Sequence, residues 1–242
     1  MRTALVVWLL LVASGSMPAR AAQPSAAAFA DAGAATEALL ASMGGRAAWA
    51  RAKGYRVEAT HHLANELRPF RNEILLDFRE PRLRVRSDRA DGRRMYAIHL
   101  DAAGESTGWR LVDGKPAPMS DAERVEERDW WNGNVYRTIS RLARRDSALS
   151  VELAADGRLR VLEAGRPLIW YRLNRVGAPI AFAAGDRGEE AATIFGPLTS
   201  YGPLKFPSFS VRDGGRWRAI IERFEVDPAL DDAQFRAPAH VP

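Results

Sequence analysis

Short segments in which apolar and polar residues alternate, separated by glycine-containing turns, recur along most of this chain. The clearest covers residues 70–79, whose even positions read Phe, Asn, Ile, Leu, Phe and whose odd positions read Arg, Glu, Leu, Asp, Arg. Such alternation predicts a β-strand with one buried face and one face in water. Turn signals follow at 91–92, 103–104, 113–114, 156–157 and 213–215. The pattern predicts roughly ten or eleven short strands, and therefore a large antiparallel sheet, a sandwich or a barrel.

Helical spacing appears before and within this pattern. Residues 36–43 and 46–53 predict two short helices, which Gly44-Gly45 and Gly54 stop. Ser120 with Glu123 forms a capping box that predicts the start of a long helix running to about residue 145, with a break at 132–134.

One face of the long predicted helix is apolar, and the residues that form it are Trp131, Val135, Ile139 and Leu142. The arginines at 137, 141, 144 and 145 fall elsewhere on the helix. We expect the apolar face to pack on the sheet. The alternative is that this helix plugs a cavity and can move.

The first residues have the pattern of a secretory signal peptide. Arg2 precedes the apolar run 4–13, and Ala19 and Ala21 fit the small-x-small cleavage rule. The run is shorter than the roughly 20 residues that a membrane-spanning helix needs. We therefore predict a signal peptide over 1–21, a flexible mature N-terminus over 22–35 and a single domain over 36–242, located in the periplasm.

The composition restricts the function further. The chain has no cysteine, which excludes disulfides, thiolate metal sites and a lipid anchor on cysteine. An exported domain of this kind must be held together by its apolar core. Removal of Arg2 and Arg20 with the signal peptide lowers the net charge from +5 to +3. The remaining basic residues are dispersed along the chain, a pattern that does not indicate nucleic-acid binding.

The sequence shows no catalytic motif. It contains neither a Gly-x-Ser-x-Gly elbow nor a phosphate-binding or dinucleotide-binding glycine motif. Its histidines are His61, His62, His99 and His240, and the adjacent pair on a strand must point to opposite faces. The acidic residues near Glu123 fall in the first turns of the predicted helix, where the helix dipole favours negative charge. They are therefore not interpreted as a catalytic pair. We therefore predict a protein that is not an enzyme, with no cofactor and no metal.

The closing passage carries a resemblance to a known family. A tight turn at 213–215 leads into a last strand over 217–226, followed by Leu230-Asp231-Asp232, Phe235 and Pro238. This passage resembles the outer-membrane lipoprotein-sorting-like superfamily, which comprises periplasmic carriers and sensors. The membrane-anchored receptor of that group has a lipidated cysteine, which this chain lacks.

The resemblance implies a mainly β (α+β) fold. The expected architecture is a strongly curved antiparallel sheet of about ten or eleven strands, forming an unclosed β-barrel with a helical lid or plug. The expected partners are lipid or lipoprotein acyl chains, and another envelope protein is a further candidate. Apolar burial at about 25 cal/mol per Å² would drive the binding of acyl chains.

Periodicity selects seven residues as the lining of a hydrophobic groove. They are Phe70, Ile74, Leu76 and Phe78 from the strand, and Trp131, Val135 and Ile139 from the helix. Two alternatives stay open, because one fold supports many functions. The first is a structural or sensory envelope module with a filled interior, and the second is a hydrolase with an unrecognised site.

Overall fold

The computed structural model describes residues 29–238. Within that range there are four α-helices and fifteen β-strands. The helices are α1 (Ala32–Ser42), α2 (Arg46–Arg51), α3 (Asp121–Asn132) and α4 (Val135–Ala143). The strands of the N-terminal half are β1 (Gly54–Leu63), β2 (Phe70–Asp77), β3 (Leu83–Arg89), β4 (Gly92–Leu100), β5 (Ser106–Val112) and β6 (Lys115–Pro118). The strands of the C-terminal half are β7 (Leu149–Leu153), β8 (Leu159–Glu163), β9 (Arg166–Leu173), β10 (Pro179–Ala184), β11 (Thr193–Phe195), β12 (Leu198–Tyr201), β13 (Leu204–Pro207), β14 (Phe209–Arg212) and β15 (Trp217–Val226).

Thirteen strands form one curved antiparallel sheet in the order β6-β5-β4-β3-β2-β1-β15-β14-β11-β10-β9-β8-β7. The hairpin β12–β13 stands apart from it. Because β6 and β7 do not pair with each other, the sheet stays open, and the predicted unclosed antiparallel architecture is confirmed. The predicted strand number was too low. Strands such as β6, β11 and β14 have only three or four residues, which is too short for a clear alternation of apolar and polar residues in the sequence.

The predicted helices are present with shifted ends. Helix α1 begins at Ala32, where the Asp31 side chain accepts a hydrogen bond from the Ala34 amide at 2.7 Å. It therefore starts four residues before the predicted position. The predicted capping box at Ser120 and Glu123 is present and begins α3. The predicted break divides the long helix into α3 and α4.

Helix α4 lies inside the curve of the sheet, and all nine of its residues are buried. Its predicted apolar face is buried, as expected. Tyr136 extends this core, because its ring lies 4.9 Å from that of Phe206 and 5.4 Å from that of Tyr55. Arg137 and Arg141, which the sequence places away from this apolar face, are buried as well. Helix α4 therefore has no exposed residue, although Arg137 and Arg141 border a cavity at the surface.

The C-terminal segment 227–238 covers the outer, convex face of β2 to β5. Phe235 is fully buried there, and its carbonyl accepts a hydrogen bond from the Trp109 indole at 2.6 Å. Leu75 on the convex face lies in register between Arg56 and Arg84. The side chains of both arginines donate hydrogen bonds to Gln234. The odd-numbered side chains of 70–79 were predicted to face water. This prediction was wrong at Leu75, which is fully buried.

None of the helices in residues 29–238 is long and apolar enough to cross a membrane. The predicted signal peptide over 1–21 lies outside the described residues, as does His240.

The two unpaired edges of the sheet differ in what lies at them. Strand β6 contains Pro116 and Pro118, whereas α1 packs against β7.

Candidate apolar binding site

The concave face of β1 to β5 is built of rows of cross-strand neighbours. The innermost row is formed by Tyr55, Leu76, Leu83 and Ile98, which are all fully or almost fully buried. Tyr55 is further fixed by its hydroxyl, which accepts a hydrogen bond from the Asn134 amide nitrogen at 3.1 Å. This row is part of the folded core and leaves no room for a ligand.

The next row outward is also apolar, but it is less completely covered. It runs from Val57 through Ile74 and Val85 to Tyr96, with Arg110 continuing it on β5. Ile74 and Tyr96 are partly exposed, and both pack against the buried core. Apolar side chains that keep part of their surface in water gain free energy when another apolar group covers them. This middle row is an apolar surface that the protein covers only in part.

A polar group bounds the middle row on its outer side. Asn72 accepts a hydrogen bond from the Ser87 hydroxyl at 2.7 Å, and its amide nitrogen lies 3.4 Å from Nε2 of His61. Burial, with the nearby charges of Arg212 and Arg89, lowers the pKa of His61 to about 4. The imidazole is therefore neutral at pH 7. An apolar ligand on the concave face would end at this polar group.

The seven residues predicted to line the groove fall into two places. Six of them join one apolar cluster, namely Ile74, Leu76, Phe78, Trp131, Val135 and Ile139. Phe70 lies apart, with its ring 5.3 Å from that of His61 and 4.7 Å from the Arg89 guanidinium. Within the cluster, Ile74 is the member that keeps a partly exposed side chain. The others stabilise the fold by packing against one another.

Helix α3 crosses the end of the middle row at β4 and β5. The Glu123 carboxylate pairs with Arg110 at 2.7 Å, and the Tyr96 hydroxyl hydrogen-bonds the Glu127 carboxylate. Among the residues of α3, only Trp131 at its C-terminal end is buried. Val125 is 58% exposed. The helix is therefore attached to the sheet by polar contacts and by one aromatic residue.

The connection between α3 and α4 is a sharp boundary. Gly133 ends α3, and the Asn134 side chain begins α4 by accepting hydrogen bonds from the amides of Tyr136 and Arg137. Because α4 is entirely buried while α3 is mostly exposed, Gly133 separates a fixed helix from a loosely held one. A change of backbone angles at this point would move α3 relative to α4 and would separate Arg137 of α4 from Trp131 and Asn132.

Burial raises the pKa of Glu127 to about 7, and the nearby charge of Glu126 adds to this effect, whereas the hydrogen bond with Tyr96 opposes it. The Glu127 carboxyl therefore titrates near neutral pH. It faces Tyr96 from inside the contact between α3 and β4. The strength of this contact accordingly depends on pH.

Sequence reasoning missed part of this site. Val57, Val85 and Tyr96 were not chosen, although they share the alternation that selected Ile74. The available signal was the alternation that the neighbouring strands have in common. It identifies a shared surface only when the register between the strands is known.

Among residues 29–238, no group of three or more His, Asp or Glu side chains is spaced to hold a metal ion.

No protein-family model matches this chain, and no curated protein matches its sequence. Solved structures are similar to it in shape. One is a LolA superfamily protein from Nitrosomonas europaea, with 12% identity, a TM-score of 0.48 and coverage of 85% of this chain and 97% of that chain. A DUF1329 family protein from Desulfovibrio piger has 11% identity, a TM-score of 0.49 and the same coverage, 85% and 97%. A domain assigned to outer membrane lipoprotein sorting, from Vibrio parahaemolyticus, has 11% identity, a TM-score of 0.37 and coverage of 78% and 92%.

The class of fold is defined by the strand order itself. It is a curved antiparallel sheet, open between β6 and β7, with a buried helix inside and a loosely attached helix across one end.

Proposed function

We propose that the protein is a non-catalytic periplasmic binding or carrier protein that holds an acyl chain between α3 and the middle row of the concave face. The chain would come from a lipid or from a lipidated protein. Helix α3 acts as the lid, and Gly133 acts as its hinge. The predicted signal peptide supports the periplasmic location.

One observation carries this proposal. A mostly exposed helix lies across an apolar row in which Ile74 and Tyr96 keep part of their surface in water. A lid that contributed only to stability would be expected to bury an apolar face of its own. Helix α3 buries only Trp131. Apart from this C-terminal anchor, in which the Trp131 indole donates to the Asp77 carbonyl and Asn132 donates to Glu163, displacement of α3 would break only exposed or half-buried contacts. It would open an apolar surface bounded by the polar group at Asn72.

A cross-linking experiment tests the lid directly. The chain has no cysteine, so two introduced cysteines provide the only thiols. The double substitution Arg110→Cys/Glu123→Cys places them on β5 and α3, where the native side chains meet at 2.7 Å. Closing the pair with a short bis-thiol reagent should abolish uptake of a fluorescent long-chain fatty acid. The same variant without reagent should still bind it.

A matched control uses the outer face of the β7–β8 hairpin. Arg160 and Glu152 form an ion pair there, so Arg160→Cys/Glu152→Cys accepts the same reagent without touching α3. Uptake should survive this second cross-link. Equal uptake by the open and the closed α3 variants would contradict the lid proposal. Ile74→Asp tests the row itself and should prevent binding in a folded protein, because Ile74 is only partly buried.

The alternative is an envelope interaction module with a filled interior. The observation that favours it is the burial of five of the seven predicted groove residues in the core cluster with exposures of 7% or less. Native mass spectrometry of protein purified from the periplasm, with lipid extraction of the same sample, separates the two functions. A near-stoichiometric lipid supports the carrier. A clean apo mass without uptake of added fatty acid supports the module.

A further inference from the structure

A cavity of about 490 Å³ lies at the surface where α4 ends, away from the middle row of the concave face. Its volume falls within the range of about 300–1,000 Å³ that is typical of ligand sites. Arginines dominate its wall. The lining residues are Phe78, Arg79, Arg137, Arg141, Arg144 and Asp146. Four guanidinium groups thus line the wall with the Asp146 carboxylate, and Glu163 is a second carboxylate that pairs with Arg141. The arginines still outnumber the carboxylates that pair with them.

Arg141 is the most deeply placed of these cations, since only 4% of its surface is exposed. Its Nε donates to Asp146 at 2.7 Å and its Nη2 donates to Glu163 at 2.6 Å. Its Nη1 is buried and has no hydrogen-bond partner within residues 29–238. A buried guanidinium donor without a partner costs free energy, and an acceptor oxygen would recover it.

Arg137 lies beside Arg141 and is 8% exposed. Its guanidinium lies 3.6 Å from the centre of the Trp131 ring, and its Nη1 donates to the Asn132 side chain at 2.9 Å. No carboxylate pairs with it within the described residues. Burial, followed by the charge of Arg141, lowers the pKa of Arg137 to about 10. It remains a cation at pH 7, with its charge only partly compensated.

Arg79 and Arg144 form the rim of the cavity. Both are exposed, and neither forms an ion pair with another residue of 29–238. Burial, together with the charge of Arg79, lowers the pKa of Arg144, which indicates that the two cations lie near each other. Like charges gathered in this way repel unless an anion joins them.

We propose that this arginine pocket is a binding site for a phosphate group, either free or at the head of an amphiphile. A carboxylate can be satisfied by one guanidinium fork, whereas a phosphate offers more acceptor oxygens and more charge to several guanidiniums at once. Buried Arg137 and Arg141 supply fixed donors, and exposed Arg79 and Arg144 can close around the group from the rim. The pocket shares Trp131 and Asn132, at the C-terminal end of α3, with the proposed lid, because these two residues hold Arg137. Acyl-chain uptake and phosphate binding are separate measurements, so either proposal can fail alone.

The two sources of phosphate differ in what they would do at the pocket. Phe78 lines the pocket and is at the same time part of the buried apolar core. Only 1% of the surface of Phe78 is exposed, so the first methylene groups of an amphiphile would cover the apolar stems of Arg79 and Arg144 at the rim, and their burial would add affinity. Free phosphate would gain nothing from it. The two sources can therefore be separated by one matched pair of ligands.

The test is isothermal titration calorimetry of the purified protein at low ionic strength. The probes are inorganic phosphate, hexyl phosphate and hexanoate. Saturable phosphate binding that weakens as salt is added is expected. Tighter binding of hexyl phosphate than of inorganic phosphate would identify an amphiphile head group, and equal binding would identify free phosphate. Hexanoate that binds as tightly as hexyl phosphate would overturn the assignment to phosphate.

The rim supplies variants that leave the buried arginines in place. Arg79→Gln/Arg144→Gln should weaken phosphate binding at least about tenfold, because each substitution removes a charged donor. The control Arg175→Gln/Arg218→Gln makes the same change in net charge at exposed positions outside the pocket, and its affinity should be unchanged. No phosphate binding by the unmodified protein, or equal losses in the two double variants, would overturn the proposal. The two single rim variants give the same test if the double variant does not fold.

Discussion

Strands β2 to β5 are covered on both faces, and the two covers are attached in different ways. On the convex face, segment 227–238 buries Phe235 completely and accepts ion pairs and hydrogen bonds from Arg82 and Arg84. On the concave face, α3 is held by a half-exposed ion pair, by Glu127, whose ionisation burial disfavours, and at its C-terminal end by Trp131, whose indole donates to the Asp77 carbonyl. The irregular segment is thus anchored near its centre, whereas the regular helix buries only one residue at one end. Under the proposed function, the helix is the cover that opens.

The largest expected difference between the two covers comes from truncating an apolar side chain in each. Phe235→Ala should lower the free energy of unfolding by about 3–5 kcal/mol, since it removes a fully buried aromatic ring. Val125→Ala in α3 should change it by less than about 0.5 kcal/mol, because Val125 is largely exposed. Chemical denaturation followed by circular dichroism measures both. Similar losses would mean that the two covers are equally fixed.

The ion pairs provide a second, smaller contrast. Arg82 binds Asp77 at 2.6 Å and Asp232 at 2.7 Å, with only 12% of its side chain exposed. Arg82→Gln should therefore cost about 1.5–3 kcal/mol of unfolding free energy. The matched Arg110→Gln removes the pair with Glu123 on α3, where both side chains are more exposed, and should cost less than about 1 kcal/mol. The same denaturation experiment compares them, and a larger loss for Arg110→Gln would reverse the comparison.

Hydrogen exchange should detect the opening of α3 in the unmodified protein. The amides of α3 are expected to exchange through a local opening, with a lower free energy than the amides of α4, which is entirely buried. Exchange measured by mass spectrometry on peptides covering 121–132 and 135–143 gives both values. Equal protection would show that the two helices open only together, and Gly133 would then not be a hinge.

The opening is also expected to depend on pH. The pKa of Glu127 in the closed protein is raised to about 7 from its ordinary value of 4.5, so the closed state binds a proton more tightly than the open state. Closure is therefore most favoured below pH 4.5 and loses this contribution as pH rises through about 7.

Hydrogen exchange of α3, corrected for the intrinsic effect of pH, should accelerate between these limits. Glu127→Gln should remove the change, because the amide does not titrate. Glu126→Gln makes the same substitution at an exposed neighbour and should keep most of the dependence. A pH dependence that persists in Glu127→Gln would exclude this carboxyl as its source.

Much of the fold could be predicted from the sequence, because the alternation and the helix signals are local. The alternation over 70–79 correctly placed Leu76 and Ile74 on one face of a strand, and the capping box correctly placed the start of α3. Alternation says which residues share a face. It does not say what covers that face. The alternation placed Leu75 on the polar face, so it was predicted to face water, yet it is fully buried. The segment that covers it is irregular, and its sequence shows no periodic pattern that could have indicated this contact.

The arginine pocket was missed for a different reason. A hydropathy pattern assigns arginine to the surface, yet Arg137 is buried against Trp131 and Asn132, which precede it by only a few residues. Its neighbour Arg141 is buried because Asp146 and Glu163 accept its hydrogen bonds. The local spacing of these arginines was visible. Their convergence with Arg79, which follows a strand far away in the chain, depends on tertiary structure.

The open edge at β6 has a consequence for how copies of this protein behave toward one another. An unclosed sheet exposes strand edges on which further chains could polymerise. Pro116 and Pro118 have no N–H group, so β6 is a poor template for another strand. At the opposite edge, α1 packs against β7. The sheet thus stays open between β6 and β7, while its β6 edge resists head-to-tail growth into fibrils.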